Sequence, residues 1–145
     1  MFKRILVAVD PSPSRLTSVR MAGDMARLTG ASVRVLHVAA ATATFDAVVP
    51  LEDDAAAGAI LDEAVALLRN EGITADGKLA DSLLNEVPAL ITEAAEDFGA
   101  DLIILSPHHR GSVASFFNPR VSDAVSHASH MAVLLAPEER EVASS

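Results

Sequence analysis

The sequence predicts a single α/β domain built on a doubly wound, parallel five-stranded sheet with helices on both faces. Segments with strand and helix character alternate along the chain in the order β-α-β-α-β-α-β-α-β. Two of the strand segments are continuous apolar runs, which is typical of strands that are covered on both faces of a parallel sheet. Strands joined through helices run parallel with right-handed crossovers, and 145 residues suit one domain.

The first strand and helix follow from the opening third of the chain. Residues 5–9 are a continuous aliphatic run, and the turn formers at 10–13 end it. Apolar residues then recur at helical spacing over 14–28, and Gly30 stands where a helix stop belongs. These features predict a strand, a turn and a helix in that order.

The middle of the chain predicts two further strands around a second helix. Residues 32–38 have strand character, and His37 inside them is interpreted as a packed or edge histidine. Residues 39–51, mostly small, are expected to form a loop. A helical apolar stripe over 52–70 predicts the second helix, and a weaker strand is expected at 73–80.

The last four strand and helix segments complete the alternation. A helical stripe covers 85–98, and residues 101–105 are the most apolar short run, which indicates a central strand. A last helix is predicted over 118–129 and a fifth strand over 131–136. We therefore expect a domain over residues 1–137, followed by a disordered tail at 138–145.

The composition excludes several classes of partner and site. The chain carries 20 acidic and 11 basic side chains, a formal net charge of −9, so that it repels nucleic acids and anionic membranes. It has no cysteine, which excludes disulfides, thiolate nucleophiles and cysteine-based metal sites. No apolar stretch reaches the roughly 20 residues that span a membrane. We expect a soluble, cytoplasmic protein.

The predicted topology also places the functional site. A doubly wound sheet binds its ligands beyond the carboxyl ends of the strands, at the point where the winding direction reverses. The loops that follow the first and fourth strands, at 10–14 and 106–118, are therefore the candidate site.

Four segments resemble one known family. Residues 5–14 read Ile-Leu-Val-Ala-Val-Asp-Pro-Ser-Pro-Ser, and residues 100–105 read Ala-Asp-Leu-Ile-Ile-Leu. Residues 121–125 read Val-Ser-Asp-Ala-Val, and residues 130–135 read His-Met-Ala-Val-Leu-Leu. Together they resemble the universal stress protein family over nearly the whole chain. This resemblance implies an adenine nucleotide alpha hydrolase-like, Rossmann-like fold and a role in stress response or regulation.

The glycine motif that marks ATP-holding members of that family is degenerate in this chain. The motif has Gly-x₂-Gly-x₉-Gly followed by Ser or Thr, and the matching residues here are Ser106, His109, Pro119 and Arg120. Pro119 offers no N–H to a phosphate, and Asn118 is placed to cap the helix itself. The His109 side chain enters space that glycine keeps clear. We therefore predict no ATP binding in the family's manner, and no cofactor.

An adenine nucleotide held in a modified pocket is the alternative. The resemblance implies that Asp10 contacts the base or sugar, although Asp10 also suits a turn cap before Pro11. Arg120 suits an anion contact through its guanidinium, or a solvated position in the first turn of the helix. If a nucleotide is bound, the resemblance implies a pocket formed by Asp10, Pro11, Val38, Ser106, His109, Arg120, Val121 and Ser122.

No residue pattern indicates catalysis. No serine lies in a Gly-x-Ser-x-Gly elbow, and no acid is placed to orient a histidine in a triad. A phosphoacceptor role for Asp10 would need a neighbouring acid to hold Mg²⁺, whereas Val9 and Pro11 flank it. We expect a protein that is not an enzyme.

The histidines do not predict a metal site. His108 and His109 are adjacent, and adjacent loop residues rarely face the same ion. His127 and His130 are three apart and share a helix face, but Asp123 is the only nearby carboxylate. Structural or solvent-facing roles are the favoured interpretation.

The last strand predicts a homodimer. In this topology it lies at the sheet edge, and an apolar edge needs a cover. Family resemblance implies antiparallel pairing with a second copy through Met131, Val133 and Leu135. An edge shielded by the chain's own tail is the alternative. The favoured function is a non-catalytic stress-response or regulatory dimer with an unidentified protein partner; an adenine-nucleotide sensor is the second.

Overall fold

The computed structural model describes residues 2–9, 15–43, 45–50, 54–105, 125 and 131–136. The strands are β1 (Arg4–Val9), β2 (Ser32–Ala43), β3 (Val48–Pro50), β4 (Ala75–Leu83), β5 (Leu102–Leu105) and β6 (Ala132–Leu135). The helices are α1 (Arg15–Thr29), α2 (Asp54–Asn70) and α3 (Val87–Phe98), and a 3₁₀ turn at Leu84–Glu86 leads into α3. The predicted last helix lies outside the described residues except for Val125, which is helical and buried.

The sheet confirms the doubly wound parallel prediction. The strand order is β3-β2-β1-β5-β6, and β4 also pairs with β2. Strands β1, β2, β4, β5 and β6 pair with one another in parallel, and they correspond to the five predicted strands. The additional strand, β3, is short and pairs antiparallel with β2. The sequence did not predict this sixth strand.

Two apolar cores cover the two faces of the sheet. Ile5, Val7 and Val9 of β1 pack in the core that contains residues of α1 and α2. Leu6 and Ala8 pack in the second core, with residues of α3 and Val125. The five side chains from Ile5 to Val9 are completely buried, because successive residues of a strand point to opposite faces and both faces are covered. The unbroken apolar run in the sequence follows from this double burial.

The expected loop at 39–51 is the main difference between prediction and structure. Strand β2 continues to Ala43, and residues 48–50 return beside it as β3. Ala41 pairs with Leu83 of β4 and also with Pro50 of β3. Since a strand residue has neighbours on two sides only, β3 lies on the same side of β2 as β1. It continues that side beyond the last β1–β2 pair.

Glycine provides the stop for α3. Gly99 has a φ of 73°, in the left-handed region that glycine adopts without a side-chain clash. Its N–H donates to the Glu96 carbonyl at 3.0 Å, and the Ala100 N–H donates to the Ala95 carbonyl at 2.9 Å. These bonds satisfy carbonyls that the helix end leaves open, so the chain turns directly into β5.

An ion pair, an aromatic ring and a second arginine join four elements at the amino end of the sheet. Arg34 lies directly opposite Asp76 in the β2–β4 register, and two hydrogen bonds of 2.9 Å join the guanidinium to the carboxylate. The same guanidinium lies 4.4 Å from the centre of the Phe98 ring at the end of α3. Arg4 donates to the Phe98 carbonyl at 2.9 Å. The cluster connects β1, β2, β4 and α3.

A shallow groove of about 510 Å³ runs between α2 and the outer edge of β4. Gly77 forms part of its wall, beneath Leu61 and Val65 of α2. Arg69 donates its Nε–H to the Ala75 carbonyl at 2.9 Å at one end of this strand. No helix in the described part of the chain is long and apolar enough to cross a membrane.

The Arg34–Asp76 pair makes stability depend on pH at acid values. Its hydrogen bonds, which outweigh partial burial, hold the pKa of Asp76 below the ordinary value. The stabilisation is therefore complete above about pH 4 and is lost as pH falls through the lowered folded-state pKa. We expect Asp76→Asn to lower the free energy of unfolding by about 0.5–1 kcal/mol at neutral pH, because the pair is partly exposed.

Urea unfolding of the wild type and Asp76→Asn at several pH values tests this expectation. The difference between the two should be constant near neutrality and shrink below about pH 4. Asp81→Asn, at an exposed position of the same strand, is the control and should change little. A difference that persists unchanged at low pH would contradict an ionic origin.

Two glycine-to-alanine substitutions should have opposite effects. A Cβ at Gly77 would lie 2.8 Å from Leu61 Cδ1 and 2.9 Å from Val65 Cγ2, so we expect Gly77→Ala to lower the free energy of unfolding by about 1–3 kcal/mol. At Gly58, inside α2, a Cβ would meet no atom within 4 Å. Gly58→Ala should raise the free energy by about 0.5–1 kcal/mol through helix propensity. Thermal unfolding of both variants measures the contrast, and equal effects would show that packing of α2 on β4 is not tight.

Candidate functional site

The winding of the sheet reverses between β1 and β5. β1 pairs with β2 on one side and with β5 on the other, and both pairings are parallel. The carboxyl ends therefore lie side by side, with Val9 opposite His37 and Ala8 opposite Leu105. A crevice at this position is the ligand site of doubly wound folds. The structure thus puts the ends of the predicted first and fourth strands next to each other.

Val38 is the one predicted nucleotide contact among the described residues. It follows the last β1–β2 pair, and its side chain is completely buried in the core on the α3 face. That core also contains Leu105 and Val125. The remaining predicted contacts lie outside the described residues: Asp10, Pro11, Ser106, His109, Arg120, Val121 and Ser122. A nucleotide contact by Val38 stays a prediction.

His37 is packed inside the sheet. It is completely buried, which confirms the interpretation as a packed histidine. Because strand residues alternate, it faces away from Val38 and toward the side covered by α1 and α2. Within the described ranges, no three His, Asp or Glu side chains come together as metal ligands. The other four histidines, at 108, 109, 127 and 130, lie outside those ranges.

The β2–β3 hairpin is a feature near the crevice that the sequence analysis missed. Its β3 strand continues the β1 side of β2, beyond the end of β1. Phe45, Val48 and Val49 at its end are exposed. The pattern Thr-Ala-Thr-Phe-Asp-Ala-Val-Val at 42–49 carries a usable signal, since β-branched residues flank a polar turn position. Its alanines obscured that signal.

β6 forms one end of the strand order. It pairs with β5 in parallel, with Leu105 opposite Leu135, and no other described strand pairs with it. Met131 and Val133 are half-buried and pack against the core on the α3 face. Leu135 is 49% exposed. The three predicted dimer contacts therefore lie at a sheet edge and retain exposed apolar surface.

Comparison with known proteins agrees with this architecture. The model of the universal stress protein family matches residues 1–137. The chain belongs to the universal stress protein family. The resemblance inferred from its opening and closing segments is confirmed. No match was found among curated proteins.

Solved universal stress proteins share the fold over nearly the whole chain. A universal stress protein from Archaeoglobus fulgidus is 25% identical with a TM-score of 0.72, covering 94% of this chain and 100% of the other. A structure of a universal stress protein from the same organism, in complex with dAMP, is 27% identical with a TM-score of 0.68, covering 93% of this chain and 98% of the other. A universal stress protein in complex with cAMP is 22% identical with a TM-score of 0.68, covering 92% and 95%.

Proposed function

We propose that this universal stress protein is a non-catalytic, cytoplasmic dimer that acts in stress response or regulation without holding ATP in the manner of the nucleotide-binding members. The observation that carries the proposal is the residue set at the phosphate end of the crevice. Ser106, His109 and Pro119 stand where the motif has glycine, and Arg120 stands where it has a hydroxyl residue. Its output would be carried by the protein surface or by a partner protein.

The physical basis is the way in which proteins hold phosphate groups. A phosphate loop needs glycine where the backbone approaches the anion, and it needs free N–H groups at the next helix start. Pro119 has no N–H, and Asn118 is placed to satisfy another donor of the same turn. The framework at the carboxyl ends of β1 and β5 is present, whereas the phosphate-binding residues of the motif are not.

The absence of catalysis is proposed from residue chemistry. Asp10 directly follows the first strand in the sequence. Its neighbours, Val9 and Pro11, are not acidic, so that no second carboxylate stands beside it to hold Mg²⁺. His37 is buried on the face opposite Val38, which removes it as a base at the crevice. The sequence contains no pattern that would place a general base beside a nucleophilic side chain.

The second candidate function is an adenine-nucleotide sensor whose affinity for the nucleotide depends little on the phosphate groups. Relatives solved with dAMP and with cAMP favour it. The resemblance implies that Asp10 contacts the base or sugar of the nucleotide, and this chain keeps that acid. Arg120 would provide one charge-assisted contact to a single phosphate group. On this hypothesis AMP and cAMP bind better than ATP.

Thermal melting with a nucleotide panel distinguishes the two candidates. A ligand at 100 times its dissociation constant stabilises a protein by about 2.7 kcal/mol, or roughly 5–10 °C in Tm for a chain of this length. We expect no shift with millimolar ATP, ADP, AMP or cAMP. A shift with AMP and cAMP that exceeds the shift with ATP would support the second candidate.

The double variant P119G/R120S tests the account of the phosphate end. We expect it to remain insensitive to ATP, because His109 still stands at a motif glycine position. Measurable ATP affinity in this variant, in the melt or by calorimetry, would show that His109 does not obstruct binding. An ATP shift in the wild type would overturn the main proposal.

The proposed dimer is supported by the β6 edge. Leu135 is half-exposed, and Met131 and Val133 keep part of their surface open at the same strand. An apolar edge strand is a pairing template, and antiparallel pairing with a second copy would cover it. The chain's own tail at 138–145 is the alternative cover. The two hypotheses differ in what removal of the tail would do.

Light scattering on the purified chain tests the dimer. We expect twice the chain mass of 15.1 kDa, and we expect Leu135→Lys to reduce it to one chain, since a buried charge at the interface is costly. Leu28→Lys is the matched control, because Leu28 is 81% exposed on α1 and should leave the dimer intact. A wild-type monomer that dimerises only when residues 138–145 are deleted would show that the tail covers the edge.

A further inference from the structure

We propose that the tip of the β2–β3 hairpin is a docking site for a basic, apolar segment of a partner protein. The hairpin tip is defined by three residues, Phe45, Val48 and Val49. None of these three residues is among the predicted nucleotide contacts or the predicted dimer contacts. It is supported by its exposure, its rigid support and the charge around it.

The first support is the concentration of exposed apolar surface. Phe45 is 106% exposed, Val48 63% and Val49 43%. The other large apolar side chains that are exposed in the described ranges, Leu28, Leu79 and Leu135, lie on three different elements. Single exposed apolar residues are ordinary, whereas several of them in one short segment favour an interaction surface. Within the described ranges, the hairpin tip is the one place where three such residues lie within five positions of the chain.

The second support is the way in which the tip is held. Ala43 pairs with Val48 and Ala41 with Pro50, so the two strands of the hairpin are tied by a ladder. Strand β4 also pairs with β2 at the base of the hairpin, where Ala41 lies opposite Leu83. Val48 and Val49 are adjacent in β3 and point to opposite faces. A supported apolar projection loses little conformational entropy when a partner covers it.

The third support is the charge of this part of the chain. Between His37 and Arg69 the sequence contains no basic residue and six acidic ones. Among these, Asp46 adjoins Phe45 and is exposed. Apolar side chains beside an exposed carboxylate complement a segment that is apolar and basic.

The charge also argues against three other occupants. Nucleic acids and anionic membranes carry the same sign of charge as this part of the chain. A second copy, with a net charge of −9, would bring a second set of carboxylates against the first. A partner with Lys or Arg beside Leu or Ile meets both properties of the tip. The occupant is therefore a basic amphipathic segment of a different protein.

A labelled model peptide tests this proposal on the full chain. The probe is a short amphipathic helix of Leu and Lys, and fluorescence anisotropy measures its binding. We expect Phe45→Ser to weaken binding by about tenfold or more, because the variant lacks the aromatic side chain that the bound peptide would cover. Leu28→Ser removes an equally exposed apolar side chain from α1 and should change binding by less than about twofold. Thermal melts check that both variants fold.

A charge-reversal pair tests the acidic surroundings. Asp46→Lys at the tip should weaken binding of the same peptide. Asp97→Lys changes the net charge equally but lies on α3 beside Phe98, near the amino ends of β1 and β2. Asp97→Lys should therefore leave most of the binding intact. Equal effects of the two reversals would show attraction to the overall charge and would overturn the proposal.

Two control peptides and two further measurements complete the test. A peptide with Ser in place of Leu should bind at least about tenfold more weakly, and a Glu and Leu peptide should not bind. Equal binding of the Ser and Lys peptide would remove the apolar contact from the proposal. If Phe45→Ser instead lowers the oligomeric mass, or abolishes binding to phosphatidylglycerol vesicles, the occupant is a second copy or a membrane and the proposal is wrong.

Discussion

The burial of β1 on both faces is the constraint on which the other parts of the structure depend. Its side chains from Ile5 to Val9 are inaccessible to water, and they belong alternately to the two cores. Apolar burial stabilises this arrangement only if helices cover both faces of the sheet, which the crossover connections provide. With β2 on one side and β5 on the other, β1 also marks the reversal of winding. The same burial that holds the domain together therefore positions the crevice.

The two ends of the sheet are built differently. At the amino end, Arg34, Asp76 and Phe98 tie strands to α3, and the Arg4 N–H donates to the Asp101 carboxylate at 3.2 Å. Polar groups there are paired with one another, and the backbone turns tightly into the next element. At the carboxyl end, the crevice and the hairpin tip lie beyond the last pairs of β1. In folds of this type, the loops at the carboxyl ends of the strands are the usual place of the ligand site.

Local sequence patterns predicted most elements because the physics that produces them is local. The apolar run at 101–105 and the helical stripe over 85–98 are visible without any partner, and the structure places β5 and α3 there. The predicted strand at 73–80 appears as β4 at Ala75–Leu83, although most of its residues are exposed. The loop prediction for 39–51 was wrong because alanine is a weak strand former, and these residues become extended only through pairing with β4 and β3. Of the predicted nucleotide contacts, the described residues include Val38, whose burial the sequence did not reveal.

The sequence by itself determined the fold class, because apolar periodicity and the order of elements allow few topologies. The family was identified from the resemblance of the chain's opening and closing segments, which the family model then confirmed. The sequence also determined which motif residues depart from glycine, since that is a matter of identity alone. Only the tertiary structure decided that Arg34 meets Asp76, that β2 extends to Ala43, and that Phe45 lies open to solvent. Each of these features depends on contacts between residues far apart in the chain, or on the lack of such a contact. The local spacing of apolar residues does not reveal either.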